Sequence, residues 1–504
     1  MRLMFDPGLI DLLNLIRAEL DPGQALYIVG GAVRDLILNR DLHDLDFLLA
    51  ENPTDLAKRL ARRLRVGFFV LDDKRHTARV VYYDPRGKLF PLDFVQFTGS
   101  SLEEDLYHRD FTINAMAILV DDLTQVIDPL GGMADLEQGL LRACSDHALL
   151  DDPVRVLRGA RLAVQFDFKF APGLEAAMQK AAVQLPKTSY ERQRDEFFRL
   201  LAGPDPGKGL QYCRRFRVFD TLLPPLVELE SIPAAPPHQL SLIDHTIQTV
   251  AHYHHLLRLL TAGWKYDGGI NWVLRDVLND LDPFLDDTRE FFNTMVTPGR
   301  TKAELAYFGA LLHDVGKRLT HKDGVGKQFY PNQHALVGAE VAWDMARRLQ
   351  LSNAESDWVQ KLVRHHMDLL PLVNNGTLPN RRQTYRFFRE TGEVGVAVAL
   401  HMLADTLATF GETLDPKRWA DAVSVVRVLF SAWFDHYETM IKPALLLDGH
   451  DLQQHYGLEP GKQIGFLLAQ LAEEQASGTI TSRDEAHSFI RRQISKKSSH
   501  GDVK

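Results

Sequence analysis

The sequence is poor in cysteine, in long apolar runs and in net positive charge. Cys144 and Cys213 are the only cysteines among 504 residues. Two thiols exclude a disulfide framework and a cysteine-based zinc site. The N-terminal region carries acids and shows no basic start followed by an apolar run, so no signal peptide is read. No stretch of about 18 apolar residues stands out, so no membrane span is expected and the cytoplasm is the expected compartment. Asp and Glu (67) outnumber Lys and Arg (58), and a formal net charge of −9 argues against a surface that grips nucleic acid throughout. Apolar residues (45 %) and charged residues (25 %) stand at globular values, which excludes a mostly disordered chain. The length suits roughly three to four domains.

The pattern along the chain predicts an α+β protein. Residues 1–145 read as mixed α/β. A helix is expected over 7–20, with strands over 26–29, 44–49, 67–71, 77–83 and 89–97. Asp84-Pro85-Arg86-Gly87 is a hairpin turn signal between the last two strands. Residues 146–230 are Leu-, Ala- and Arg-rich and helical. Residues 224–237 are Pro-rich and read as a linker. Residues 238–410 form a second helical block, rich in histidine. Residues 411–504 are helical and end in a Lys/Ser tail, 496–504, expected to be disordered.

Gly30-Gly31-Ala32-Val33-Arg34-Asp35 joins a strand to a helix. Two glycines let backbone approach a phosphate, and helix N-terminal amides bind it, although a Gly-Gly there is often no more than a turn. Asp44-Leu45-Asp46 follows, and strand positions i and i+2 share a face. Two carboxylates on one face suit a pair of hard cations such as Mg²⁺, and Asp93 offers a third. A solvated strand edge is the bland alternative. The apolar neighbours Leu45, Phe47, Leu48 and Leu49 weigh against it, because buried unpaired carboxylates are costly. Arg109, Asp110 and Asn114 supply polar groups for a ribose or triphosphate. Pro153 suits a first helical turn, which would set Asp152 and Arg155 at i and i+3 on one helix face. An Asp acceptor beside an Arg donor matches the amino donor and ring-nitrogen acceptor of cytosine and adenine, whereas a surface ion pair would mean little.

These stretches, with Asp128-Pro129-Leu130-Gly131-Gly132, Asp135 and Glu191-Arg192-Gln193-Arg194-Asp195-Glu196, resemble the class II tRNA nucleotidyltransferase and bacterial poly(A) polymerase family over residues 24–230. The resemblance implies a polymerase-β-like nucleotidyltransferase head followed by a helical neck that holds tRNA. It implies that Asp44 and Asp46 carry catalytic Mg²⁺, with Asp93 beside them. Gly30, Gly31 and Arg34 would lie near the triphosphate, and Arg109, Asp110 and Asn114 near the nucleotide. Asp152 and Arg155 would select CTP and then ATP, and Arg158 and Arg161 on the same segment would bind the nucleotide. His108 stands where the family usually has Arg, and Asp151 where it usually has Glu. The chemistry implied is two-metal phosphoryl transfer from CTP and ATP to the tRNA 3′-hydroxyl.

A second constellation is His245, His313-Asp314, His334, His365-His366 and Asp405 on a helical background. Lone core histidines are usually structural. This ordered set resembles the HD phosphohydrolase superfamily over residues 240–410, and several relatives of the nucleotidyltransferase family carry such a domain after the neck. The resemblance implies His245, His313, Asp314 and Asp405 as core metal ligands. His334 and one of His365 or His366, the latter preferred, would complete a second position. Lys317 would contact a phosphate. Imidazole and carboxylate together suit Mn, Fe, Ni, Co or Zn, which promote attack on phosphate esters.

The leading reading is a tRNA CCA-adding nucleotidyltransferase whose HD domain trims phosphate or 2′,3′-cyclic phosphate ends. A poly(A) polymerase, or an enzyme adding only A or only CC, is the nearest rival. An HD nucleotide phosphohydrolase with a merely RNA-binding head is a rival of another class. Resolved by segment, the charge fits the first of these. Residues 101–150 hold 10 acids and 2 bases, whereas residues 151–220 hold 13 bases and 9 acids, and residues 51–100 hold 10 bases and 6 acids.

Overall fold

A computed structural model describes residues 5–72, 76–84, 87–234, 236–262, 272–320 and 333–498. The chain divides into two units, residues 1–204 with 212–222, and residues 205–211 with 223–504.

The first unit is built on a seven-stranded sheet of order β3-β4-β5-β2-β1-β6-β7. Its elements are α1 (Pro7–Arg17), β1 (Leu26–Val29), α2 (Gly31–Ile37), β2 (Leu45–Leu49), α3 (Pro53–Leu64), β3 (Gly67–Asp72), β4 (Thr77–Tyr83), β5 (Leu89–Gln96), α4 (Leu102–Tyr107), β6 (Ala117–Leu119), β7 (Asp122–Ile127) and α5 (Gly132–Gln138). Within this sheet, among the described residues, only β2 and β5 pair in parallel. The aromatic and β-branched strand residues drive this sheet, with Phe47 of β2 stacked on Phe94 of β5 at 5.0 Å. Helix α3 buries Leu56, Ala57, Leu60 and Ala61, a stripe at helical spacing, while its arginines face outward. After the sheet come α6 (Ala148–Asp151), α7 (Arg155–Phe166), α8 (Leu174–Ala182) and α9 (Tyr190–Leu201). Ser189 caps α9 by accepting from Arg192 N.

The second unit is helical. The helices Leu242–Ala262, Lys302–Leu312, Gln333–Arg348, Asn353–His365 and Val394–Phe410 carry or end beside its clustered histidines. Thr301 and Ser352 open two of these helices with capping boxes to Glu304 and Glu355. The last helices have a core of their own, containing Leu447, Leu452, Leu471, Phe489 and Ile490.

Several expectations change. The Pro-rich stretch begins as a helix, Pro224–Glu228, because Pro224 takes the first helical position, where no N–H is needed. Short strand pairs lie beyond the main sheet, Leu140–Leu141 with Lys169–Phe170 and Met295–Thr297 with Arg300–Thr301. The last helix, Arg483–Ser498, runs into the expected tail, whose residues 499–504 lie outside the described ones. Pro85 and Arg86 of the hairpin turn also lie outside them. The stretch Val394–Thr413 is long and apolar enough to cross a membrane, but 83 % of its apolar window is buried, as in a core helix.

Candidate active site and metal centre

The site in the first unit starts from strand register. Asp46 in β2 lies beside Asp93 in parallel β5, and Asp93 lies opposite Arg79 in antiparallel β4. Arg79 donates to both Asp93 oxygens at 2.7 Å, a bidentate pair that holds this carboxylate in place. Burial, then the charges of Asp44 and Asp93, push the Asp46 carboxyl up to about 6. Asp44 is also raised, by desolvation and then by Asp93 and Asp35. It is exposed, one residue ahead of the strand, so the expected pair of strand-buried carboxylates is corrected. Pairing begins only at Leu45 with Leu92, leaving Asp44 outside the ladder. Three like charges so placed favour a divalent cation.

Gly30 brings the backbone to these carboxylates. Its φ is +74°, and a Cβ there would lie 3.2 Å from Asp46 Oδ2 and 3.3 Å from Arg109 Nη1. A cavity of about 400 Å³ opens here, lined by Gly30, Gly31, Asp46, Arg109, Asp110 and Asn114 on one side. Asp152, Arg155 and Arg158, with Arg192, Glu196 and Arg199 from α9, line the rest. Behind the nucleotide motif runs a buried polar chain. Arg34 Nη1 donates to Asn114 Oδ1 at 2.6 Å, Asn114 Nδ2 donates to Asp110 Oδ1 at 3.1 Å, and Arg158 pairs with Asp110 at 2.8 Å. Burial raises the Asp110 carboxyl, but Arg158 and the bonds from Phe111 N and Asn114 hold it below its usual range. Asp128 accepts from Gly132 N and Met133 N, and Asp135 accepts from Thr112, so these acids brace the motif.

Asp152 and Arg155 do not share a helix face. α7 starts at Arg155, and Asp152 is extended (φ −143°, ψ 89°) because it precedes Pro153. Arg155 donates to the carbonyls of Arg109, Ala148 and His108 and stays 3.8 Å from Asp152. Arg192, quoted in the sequence motif without a role, donates to Asp152 Oδ2 at 2.6 Å. Asp152 Oδ1 is buried and has no hydrogen-bond partner. Arg34 and Arg161 do not line the cavity; Arg161 is paired with Glu196 at 2.9 Å. Arg79 was also missed from sequence, because its partner is set by hairpin register. His108 is exposed, its Nδ1 2.7 Å from Glu104 O.

The second unit gathers five helix ends and faces around Asp314. Nε2 of His245 and His313 lie 3.7 and 3.3 Å from Asp314 Oδ2, and Nε2 of His334 and His366 lie 3.4 and 3.8 Å from Oδ1. Asp405 Oδ1 is 3.0 Å from His245 Nε2 and 3.6 Å from His313 Nε2. Asp314 is thus shared by two sets of donors, His245/His313 and His334/His366. The donors fit transition-ion binding. Nδ1 of His313 and of His366 sit 2.7 Å from the carbonyls of Ala310 and Val363, which only accept, so each Nε2 presents a lone pair. The Nε2 atoms of His334 and His366 stand 3.2 Å apart. Burial, and then His313, depress the His366 imidazole to about 3. His365 instead pairs with Asp368 at 2.7 Å, outside the cluster. Lys317 Nζ donates to Asp314 Oδ2 at 2.6 Å.

Comparison with known proteins matches residues 26–142 to the Poly A polymerase head domain, 167–229 to the probable RNA and SrmB-binding site of polymerase A, and 275–408 to the HD domain. The chain is 30 % identical to an A-adding tRNA nucleotidyltransferase of Deinococcus radiodurans, covering 94 % of this chain and 95 % of that one. It is 31 % identical to a CC-adding tRNA nucleotidyltransferase of Thermus thermophilus, covering 92 % of each. Among solved structures, a CCA-adding enzyme in complex with ATP superposes with a TM-score of 0.63 at 20 % identity, covering 97 % of this chain and 96 % of that one.

Proposed function

The chain belongs to the tRNA nucleotidyltransferase family, and from that premise we propose that it builds or repairs the CCA 3′ end of tRNA from CTP and ATP. The observation that carries this is that Asp46, beside Asp93 in the sheet, lines one cavity with Asp152. Mg²⁺ held by Asp44 and Asp46 supplies, when bound, charge neutralisation at the transferring phosphate. Gly30 and Gly31 admit the triphosphate, and Arg109 and Arg158 face it. Asp152 Oδ1 accepts the amino hydrogen that cytosine and adenine offer and that uracil and guanine do not present at that position. Positioning supplies the rest of the rate.

The HD unit acts, in this reading, on phosphate or 2′,3′-cyclic phosphate esters. A Mn, Ni, Co, Fe or Zn ion held by the histidine cluster supplies Lewis acidity when bound. Lys317 orients the phosphate.

A second reading is partial addition, of A alone or CC alone. It is favoured by the two relatives described above, which match over nearly their whole length and are named for those activities. Incubating the protein with tRNA lacking one, two or three terminal nucleotides, with CTP and ATP singly and together, separates the readings. Full repair of all three substrates supports CCA addition; repair of one step only supports the second reading; long A tails overturn both in favour of a poly(A) polymerase. In Asp44→Ala/Asp46→Ala, addition is lost and phosphohydrolysis persists. A wild type that never incorporates nucleotides yet hydrolyses them marks a nucleotide phosphohydrolase.

A further inference from the structure

The helix Val394–Phe410 is buried along nearly all its length, and its lining is Val, Ala and Leu save for a few polar residues. Two of these, His401 and Asp405, are four residues apart and so share a face. His401 is fully buried, and neither ring nitrogen has a hydrogen-bond partner. An unsatisfied buried imidazole destabilises a helix that leucine would serve better, so it calls for an interaction that offsets this. Nearby Tyr253, with its ring centre 6.3 Å away, gives its hydroxyl to Ala397 O. What lies beside His401 is the histidine cluster. Its ring centre is 4.8 Å from that of His313 and 5.9 Å from that of His366. Imidazoles that share an ion through nitrogens at about 2.1 Å hold their ring centres roughly 4.5–5.5 Å apart at bond angles near 90–120°. The pairs His245–His313 (5.4 Å) and His334–His366 (5.2 Å), each within one donor set, fall in that range, and His313–His401 does too.

We propose that His401 is a fifth imidazole ligand of the HD metal centre and biases it toward a divalent transition ion. The inference rests on reading that cluster as a metal centre. A nitrogen donor added to His245, His313, Asp314 and Asp405 shifts the site from oxygen-preferring Mg²⁺ and Mn²⁺ toward Co²⁺, Ni²⁺ and Zn²⁺.

The test uses the full chain, stripped with chelator, reloaded with Co²⁺ and desalted. Bound metal is counted by mass spectrometry, and imidazole neighbours by X-ray absorption. The wild type is expected to retain Co²⁺ with scattering from five imidazoles distributed over its ions. His401→Phe keeps a ring of similar size in an apolar setting. It is expected to lose one imidazole from the count and at least tenfold in Co²⁺ affinity, with its circular dichroism unchanged. Equal affinity within twofold and an equal imidazole count in wild type and variant overturn the proposal while leaving the metal centre standing. A wild type that binds no transition ion overturns both. If His401→Phe fails to fold, the wild-type count decides alone, four imidazoles against five.

Discussion

Asp46 sits where geometry and charge disagree. Burial, then the charges of Asp44 and of Asp93 beside it in the sheet, push its carboxyl up to about 6, whereas an unfolded Asp titrates near 3.8. The folded, metal-free protein therefore holds this proton more tightly than the unfolded chain. Its stability falls as pH rises through about 6 and recovers toward pH 4. Asp46→Asn removes the strain. With EDTA at pH 8 the variant should melt above wild type, by up to roughly 3 kcal/mol of stability at about 1.4 kcal/mol per pH unit, reduced by solvent at a half-buried side chain. The gap should close only as pH falls to about 3.8, the unfolded value, and Mg²⁺ should raise the melting temperature of wild type only. Equal melting curves at pH 8 would sink this account. Arg192 belongs to the same scale. Its bond to Asp152 Oδ2 leaves Oδ1 free for a base. Arg192→Ala should cut discrimination of CTP and ATP against UTP, read as ratios of kcat/KM, by about tenfold, or ~1.4 kcal/mol. An unchanged ratio would remove Arg192 from base selection. Asp46 stands out in the sequence because a carboxylate between apolar neighbours is conspicuous, and Asp152 through its spacing to Arg155 and the resemblance. Arg79 and Arg192 do not, because their partners lie 14 and 40 residues away, across a hairpin and between two helices.

At the scale of elements, the HD cluster depends on how closely two backbones approach. A Cβ on Gly316 would stand 2.0 Å from His334 O and 2.7 Å from Gly338 N. Both clashes are with backbone, so no rotamer relieves them. The turn after His313-Asp314 and the helix Gln333–Arg348 can therefore meet only through glycine, and this contact puts His334 opposite Asp314. Gly316→Ala should destabilise the second unit by about 1–3 kcal/mol and lower its retained transition metal. Nucleotide addition by the first unit should be unaffected. Full metal retention and an unchanged thermal transition would show that the approach is not needed. In the sequence Gly316 reads as a helix stop. The helix before it ends earlier, at Leu312 with His313 as its cap, and Gly316 lies in the turn that leads into Lys317–Thr320. The close approach itself is invisible without the second backbone. The same limit explains the Asp152–Arg155 segment. Spacing alone puts the two residues on one helix face, but Pro153 forbids helical geometry at Asp152, and the helix starts at Arg155. The elements most legible from sequence are those with their own signals, such as β4 over Thr77–Tyr83, where alternation is strong.

For the whole molecule, the order of head, helical neck and histidine-rich block is readable because each part carries a different period and composition. The number of basic groups open to RNA is not, because it depends on pairing. Residues 151–220 hold 13 bases and 9 acids. In the structure Arg158 pairs with Asp110, Arg161 and Arg199 with Glu196, Arg192 with Asp152, Arg215 with Glu175 and Arg217 with Asp220. Much of the positive charge is thus already answered within the protein, and the excess of bases over acids bounds what remains for phosphate. Each phosphate contact with single-stranded or duplex nucleic acid contributes about −0.7 to −0.9 to the slope of log K against log salt. An excess of four charges, from 13 bases and 9 acids, therefore predicts a slope near −3 for tRNA binding to the full chain. Fluorescence titration between 50 and 300 mM KCl measures it. A slope near zero would mean that the neck does not hold tRNA electrostatically. A slope near −10 would mean that the ion pairs open and that arginines now facing Asp110, Asp152 and Glu196 turn to the RNA. In that case Arg199→Ala, on the exposed side of the Glu196 pair, should reduce the slope by about one and weaken binding of all tRNAs alike.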